Sequence, residues 1–203
     1  MKKVFLIGDS IRYGLGAEEG RKYGYGMYVK ENLKGNFEVY EPDDNCRFLQ
    51  YTLRYLHQWV AELENPSTID VVHWNNGLWD CLRLFGDGPL TPVEMYKEYL
   101  VRVYNRIRLL LPNAKIIFAL TTPVTEEKSY LDFTRKNDDI IRYNQAAIET
   151  LSIFDVQIND LYSVAKELRK DYDRYAKDWV HYNEAGSKLL AKEVISKINL
   201  LSF

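Results

Sequence analysis

Short runs of β-branched and apolar residues alternate along this chain with longer stretches of helical periodicity, and that alternation constrains the fold more than any other feature. Val4–Ile7, Phe37–Tyr40, Ile69–Trp74 and Lys115–Leu120 are largely apolar, as strands are when a sheet is covered on both faces. Phe154–Ile158 is a weaker fifth run. Between them the apolar spacing predicts helices over Tyr25–Leu33, Gln50–Leu63, Pro92–Leu111 and Asp138–Leu151, with a last one over Glu184–Ile198. Alternating strands and helices imply a parallel sheet between helical layers, an α/β/α architecture.

Several boundaries have a local cause. Thr91-Pro92 offers a cap-type residue before a proline suited to the first helical turn. Pro112-Asn113 stops the long helix and turns the chain into the next strand, and Asn183 is a fair cap for the terminal helix. No internal repeat, low-complexity tract or Ser/Gly linker interrupts the 203 residues, so one domain over 1–203 is expected. The longest irregular segments, Asn75–Thr91 and Thr121–Lys136, both follow strands. Ligands of open parallel sheets bind outside the carboxyl ends of the strands, which makes these segments the place to look for a site.

Composition argues against several function classes. A net charge of −2, with no basic run interleaved with aromatics, gives no case for nucleic acid. No stretch of about 18 apolar residues supports a membrane span. The first apolar run is cut short by Asp9, so it reads as a strand rather than a signal-peptide core. Cys46 and Cys81 form neither a CxxC pair nor part of a disulfide ladder. That usage suits a reducing compartment, and a cytoplasmic location is expected. A P-loop is missing, the glycines after the first strand have the wrong spacing for a dinucleotide loop, and no His/Cys/Asp set has metal-ligand spacing. Neither cofactor nor metal is expected.

Two end segments carry residues suited to chemistry. The first strand runs into Gly8-Asp9-Ser10. A serine there would sit on a rigid element at the ligand-binding edge, beside backbone N–H groups able to steady negative charge. The same tripeptide is also an ordinary strand–turn sequence. Near the other end, Asp178-Trp179-Val180-His181 places a carboxylate and an imidazole three residues apart in the loop entering a helix. A nucleophilic serine needs such a base, and the base needs an acid group to orient it. The other two histidines suit this role less: His57 lies within an amphipathic helix and His73 within a strand, where a satisfied core histidine is the simpler reading. Tyr23, Tyr25, Tyr28 and Tyr182 could line a carbohydrate-compatible pocket, although packing explains most of the sixteen tyrosines more simply.

Gly8-Asp9-Ser10 after the first strand, together with Asp178-x-x-His181 followed by Asn-Glu-Ala-Gly, resembles the GDSL or SGNH hydrolase family over nearly the whole chain. The resemblance implies a five-stranded parallel sheet of order 2-1-3-4-5. It also implies hydrolysis of esters or thioesters without a metal, through an acyl-enzyme on serine. It casts Ser10 as nucleophile, His181 as base and Asp178 as the orienting carboxylate.

The middle blocks depart from that pattern. The family's third block, Gly-x-Asn-Asp, corresponds to Gly77-Leu78-Trp79-Asp80, with Trp79 in place of the asparagine that donates to the oxyanion. Three accounts are open: the Trp79 indole donates instead, Asn75 or Asn76 takes over, or the oxyanion hole is weaker. Losing one donor costs about 10²–10³ in rate. The second block normally offers a glycine, and Asp43–Gln50 contains none; Arg47 is an additional anion contact or a surface arginine paired with Asp43 or Asp44. Asp9, Arg47, Asn75, Asn76, Gly77 and Trp79 are thus the candidate oxyanion and substrate contacts. The expected partner is a small acyl ester, an acylated carbohydrate being one such substrate. An acyltransferase on the same residues, or a binding domain that lost its oxyanion donors, are the alternatives.

Overall fold

The computed structural model describes residues 1–14 and 24–201. In chain order its elements are β1 (Lys2–Ile7), α1 (Ser10–Tyr13), α2 (Tyr25–Leu33), β2 (Phe37–Tyr40), α3 (Leu49–Ala61), β3 (Val71–Trp74), β4 (Arg83–Leu84) and α4 (Val93–Leu110). There follow β5 (Lys115–Ala119), β6 (Phe133–Thr134), α5 (Asn137–Leu151), β7 (Val156–Asn159), α6 (Leu161–Arg169), α7 (Tyr172–Tyr175) and α8 (Glu184–Leu201). Five strands form one parallel sheet in the order β2-β1-β3-β5-β7, which is the expected 2-1-3-4-5 arrangement.

The apolar runs explain why β1, β3 and β5 lie inside. Val4–Ile7, Val71–Trp74 and Ile116–Ala119 are buried throughout, covered on each face by helices. α3, α4 and α5 pack successively on one another, while α8 packs on α2, α6 and α7. The helices thus fall into two groups, one for each face of the sheet. Because the strands are parallel, every carboxyl end reaches the same edge, and Ser10 follows β1 there.

Element boundaries moved by up to a few residues for local reasons. Ile69 and Asp70 precede β3 rather than begin it: Ile69 closes a 3₁₀ turn over Pro66–Thr68, and the Asp70 carboxylate accepts from the Lys3 N–H at 2.6 Å. Thr91 does not cap α4. Pro92 holds the cap position without a side-chain bond, and the Thr91 hydroxyl faces Gln50 at 3.3 Å. Asn183 does cap α8, its Oδ1 accepting from the Gly186 N–H at 3.1 Å.

Unexpected structure lies in both irregular segments. β4 and β6 pair antiparallel, Arg83 opposite Thr134 and Leu84 opposite Phe133. Arg83 also forks onto the Asp139 carboxylate at 2.7 and 3.1 Å, tying the pair to the first turn of α5. The loop after β3 and the loop after β5 are therefore clasped to each other above the sheet edge.

Candidate active site

Ser10 owes its position to its two neighbours. β1 ends at Ile7, and the Asp9 side chain accepts the Ile11 N–H at 2.9 Å, capping α1 so that Ser10 opens its first turn. The serine is buried at 4% exposure. From the same short helix, Arg12 turns inward and is 1% exposed. Its guanidinium donates to Glu41 Oε2 at 3.0 Å and to the carbonyls of Pro42, Gly8 and Asp44 at 3.1, 3.2 and 2.5 Å. Arg12 thereby fastens the loop after β2 to the turn that carries Ser10.

His181 reaches Ser10 from 171 positions away: its Nε2 lies 2.9 Å from Ser10 Oγ. Its Nδ1 lies 2.9 Å from Asp178 Oδ2, and Asp178 Oδ1 accepts the backbone N–H of Val180 at 2.7 Å and of His181 at 2.6 Å. One carboxylate thus shapes the turn and orients the ring. Burial pushes the Asp178 carboxyl up, but the hydrogen bond and charge of His181, with the two backbone N–H groups, outweigh it and hold the group below the usual carboxylate range. The turn is braced from α6, where Arg169 donates to the carbonyls of Asp178, at 3.0 Å, and of Val180. Gly186 completes the fit, since a Cβ there would stand 2.5 Å from the Tyr175 carbonyl oxygen.

The remaining sequence candidates separate into wall and scaffold. Asn75 donates its amide to the Ala119 carbonyl at 2.9 Å, tying β3 to β5. Asn76 donates to the Arg47 carbonyl at 2.6 Å and accepts from the Trp74 indole at 2.7 Å and the Thr52 hydroxyl at 3.1 Å. Both amides are thus engaged in holding loops, and neither residue is among those lining the cavity at Ser10. Gly77 has φ +145°, and a Cβ there would meet Thr121 Oγ1 at 2.2 Å, so only glycine fits the turn.

Arg47 occupies the left-handed region at φ 45° in the loop where the sequence pattern lacked its glycine. Its guanidinium lies 4.9 Å from the Tyr51 ring centre instead of pairing with Asp43 or Asp44. Tyr25, Tyr28 and Tyr182 are core residues, each under 5% exposed, rather than pocket lining. Tyr23 lies outside the described residues.

A cavity of about 220 Å³ opens on Ser10 and His181, walled by Asn45, Trp79, Tyr130, Phe133, Arg135 and Trp179 among others. Among the described residues, two N–H donors of this wall are buried without a partner: Trp79 Nε1 and Asn45 Nδ2. The opposite end of the Asn45 amide is committed, Oδ1 accepting the Arg47 N–H at 3.1 Å.

A model of the GDSL-like Lipase/Acylhydrolase family matches residues 6–189. The chain belongs to that family. Among curated relatives, the GDSL esterase/lipase WDL1 of Oryza sativa subsp. japonica is 26% identical over 118 residues, which is 54% of this chain. The match spans 45% of that protein, so the chain covers about half the length of such relatives. Solved structures agree in fold. A lipase/acylhydrolase from Enterococcus faecalis superposes with TM-score 0.75 at 20% identity, over 98% of this chain and 95% of that one. The acetyl xylan esterase AlAXEase does so with TM-score 0.72 at 19% identity, over 97% and 99%.

Within this GDSL-family chain, three site residues had escaped sequence reasoning. Asn45 lies in the loop after β2, where attention to backbone N–H groups hid a side-chain amide. Arg135 follows β6 and is buried at 3% exposure; an arginine in a loop carries no sequence sign of burial. Arg169 stands on α6, which lies outside the helices that the sequence predicts. Two buried acids complete the electrostatics. Burial raises the Asp9 carboxyl, opposed by the Ile11 N–H and by the charges of Arg135, His181 and Arg12. Burial also pushes Asp80 up to about 7, although the Leu49 N–H donates to its Oδ1 at 3.2 Å. His73 is a core residue in β3, as the sequence suggests, but not a fully satisfied one: Asn159 Nδ2 lies 3.2 Å from its Nε2, its Nδ1 has no hydrogen-bond partner among the described residues, and burial lowers it to about 3.

Proposed function

We propose that this GDSL-family chain is a serine esterase for small acyl esters. The observation that carries this reading is the continuous hydrogen-bonded line from Ser10 Oγ through the His181 ring to Asp178, with both links at 2.9 Å. In the proposed reaction His181 takes the Ser10 proton as the oxygen attacks the ester carbonyl, and Asp178 orients the ring and stabilises the imidazolium. Collapse of the tetrahedral intermediate expels the alcohol, which receives the proton from His181. Water then repeats the sequence on the acyl-enzyme.

Developing charge on the carbonyl oxygen meets three donors in this reading: the Ser10 backbone N–H, Trp79 Nε1 and Asn45 Nδ2. The last two are buried and unpartnered, a costly arrangement that an oxyanion relieves. Their presence also weighs against a binding domain that had lost its oxyanion machinery. A cavity of about 220 Å³ is smaller than the roughly 300 Å³ at which drug-sized pockets begin, which favours a short acyl group. The fold shared with an acetyl xylan esterase supports carbohydrate O-acetyl esters as a substrate class to test.

The test pairs turnover of p-nitrophenyl acetate with labelling by a fluorophosphonate, for wild type and Ser10→Ala. Hydrolysis and a single label on Ser10 are expected for wild type, and neither for the variant. A Ser10→Ala protein that hydrolyses or labels as wild type does would overturn the assignment. Labelling with product formed only when an alcohol is added would replace hydrolysis by acyl transfer.

A further inference from the structure

Arg135 has no part in the chemistry proposed above, yet it forms part of the wall of the Ser10 cavity. Its Nε donates to the Leu78 carbonyl at 2.6 Å. Three rings surround the guanidinium, with their centres 5.5 Å (Trp79), 5.2 Å (Phe133) and 5.6 Å (Trp179) from its central carbon. The rings stand edge to face, Trp79 against Phe133 at 85° and Phe133 against Trp179 at 83°. The cage and the Leu78 hydrogen bond together hold the guanidinium in the wall.

The two terminal nitrogens have no hydrogen-bond partner among the described residues. The charges of Asp9 and Asp178 bear on the guanidinium, but neither carboxylate hydrogen-bonds its terminal nitrogens. Asp9 caps α1, and Asp178 receives three N–H groups from its own turn. A guanidinium stays charged in a protein, and buried N–H groups without acceptors are expensive. A rigid, forked cation left open toward a cavity is the geometry that receives a carboxylate through two parallel hydrogen bonds.

Building on the esterase reading, we infer that the preferred substrate is an ester bearing a carboxylate, held by Arg135 while the ester carbonyl lies on Ser10. The carboxylate could belong to the acyl half, as in the half-ester of a dicarboxylic acid, or to the alcohol half, as in an acylated hydroxy acid. Neutral acetyl esters fill the cavity in either case but leave the guanidinium unmatched.

Two pairs of substrates separate the sources. The acyl arm compares p-nitrophenyl glutarate monoester with p-nitrophenyl valerate, its near-isosteric neutral counterpart. The alcohol arm compares acetoxyacetate with acetoxyacetamide, read by acetate release. In wild type, kcat/KM for the anionic member is expected to exceed the neutral one by about 10- to 100-fold in one arm, the range for a charge-assisted pair. Arg135→Met should abolish that preference, read as the ratio of the two kcat/KM values within the variant. Arg135→Lys, which keeps the charge and loses the fork, should retain only part of it.

Equal or better turnover of the neutral ester in both arms by wild type overturns the inference, whatever the variants do. So does an Arg135→Met protein that keeps the anion preference. Failure of the esterase reading looks different: no neutral or anionic ester is hydrolysed and Ser10 takes no fluorophosphonate label.

Discussion

In the proposed esterase, Trp79 and Asn45 act through what they lack. A buried donor without an acceptor costs about 1–3 kcal/mol, and two such donors belong to residues that wall one cavity here. A group left unsatisfied in the resting protein and satisfied by a developing oxyanion contributes mainly to the transition state. Trp79→Phe, which removes the N–H and keeps most of the ring, should lower kcat for p-nitrophenyl acetate by about 10²–10³ with little change in KM. Asn45→Asp keeps the acceptor that holds the Arg47 N–H and replaces the donor by oxygen, so kcat should fall by at least about 10². Steady-state kinetics check both. A fall in affinity with kcat intact would show instead that these groups bind ground-state substrate.

α1 has only four residues, too few to be stable alone, so its order comes from Arg12 and the Asp9 cap. Arg12→Met would break a buried ion pair, the one with Glu41, whose side chain is 7% exposed. Breaking such a pair costs about 3–5 kcal/mol, which for a chain of this size lowers Tm by roughly 6–20 °C. Thermal unfolding measures it, and Arg12→Met combined with Glu41→Gln should recover part of the loss. Nothing in the sequence marks Arg12 as buried, because its acceptors are mainly carbonyls of a loop some 30 residues away.

The legible elements were those whose burial leaves a period. The interior strands and the five long helices appear as apolar spacing, and Asp178-x-x-His181 appears because it closes its own turn. α6 does carry a helical signal, Leu161, Ala165 and Leu168 on one face after the Asp160 cap, which a reading focused on the Asp178 motif passes over. β4 and β6 have two residues each, too short for any period, and exist only through each other. The same holds for the oxyanion candidates: Asn75 and Asn76 have the right chemistry in sequence, but their amides are committed to backbone carbonyls.

At the scale of the molecule, buried titratable groups set how stability responds to pH. Asp80 has a folded value of about 7 against an ordinary 3.8. Between those values the folded state holds a proton that the unfolded state has released, so this group's contribution to stability is complete below pH 4 and is lost as pH rises towards 7. His73, lowered to about 3, acts in the opposite sense: the unfolded state takes up a proton below its ordinary 6.5 and the folded state does not, so stability falls as pH drops through that window. The two slopes oppose each other between pH 4 and 6.5. Asp80→Asn removes one of them, and its stability relative to wild type should climb by about 1.4 kcal/mol per pH unit across that range. Denaturant titrations at several pH values test this, and a difference that is flat with pH would show that Asp80 is ionised in the folded state.

The clasp between β4 and β6 has an evolutionary and practical corollary. Trp79 and Arg135 flank that small ribbon on its two arms, while Ser10, Asp178 and His181 are anchored elsewhere. In the proposed esterase, substrate selectivity and one oxyanion donor thus ride on the ribbon, while the Ser10–His181–Asp178 line is held by other elements. Beyond the ribbon, no atom of the described residues comes within 4 Å of where a Cβ would lie on Gly86 or Gly88, which leaves room to graft longer tips there while Ser10, His181 and Asp178 keep their alignment.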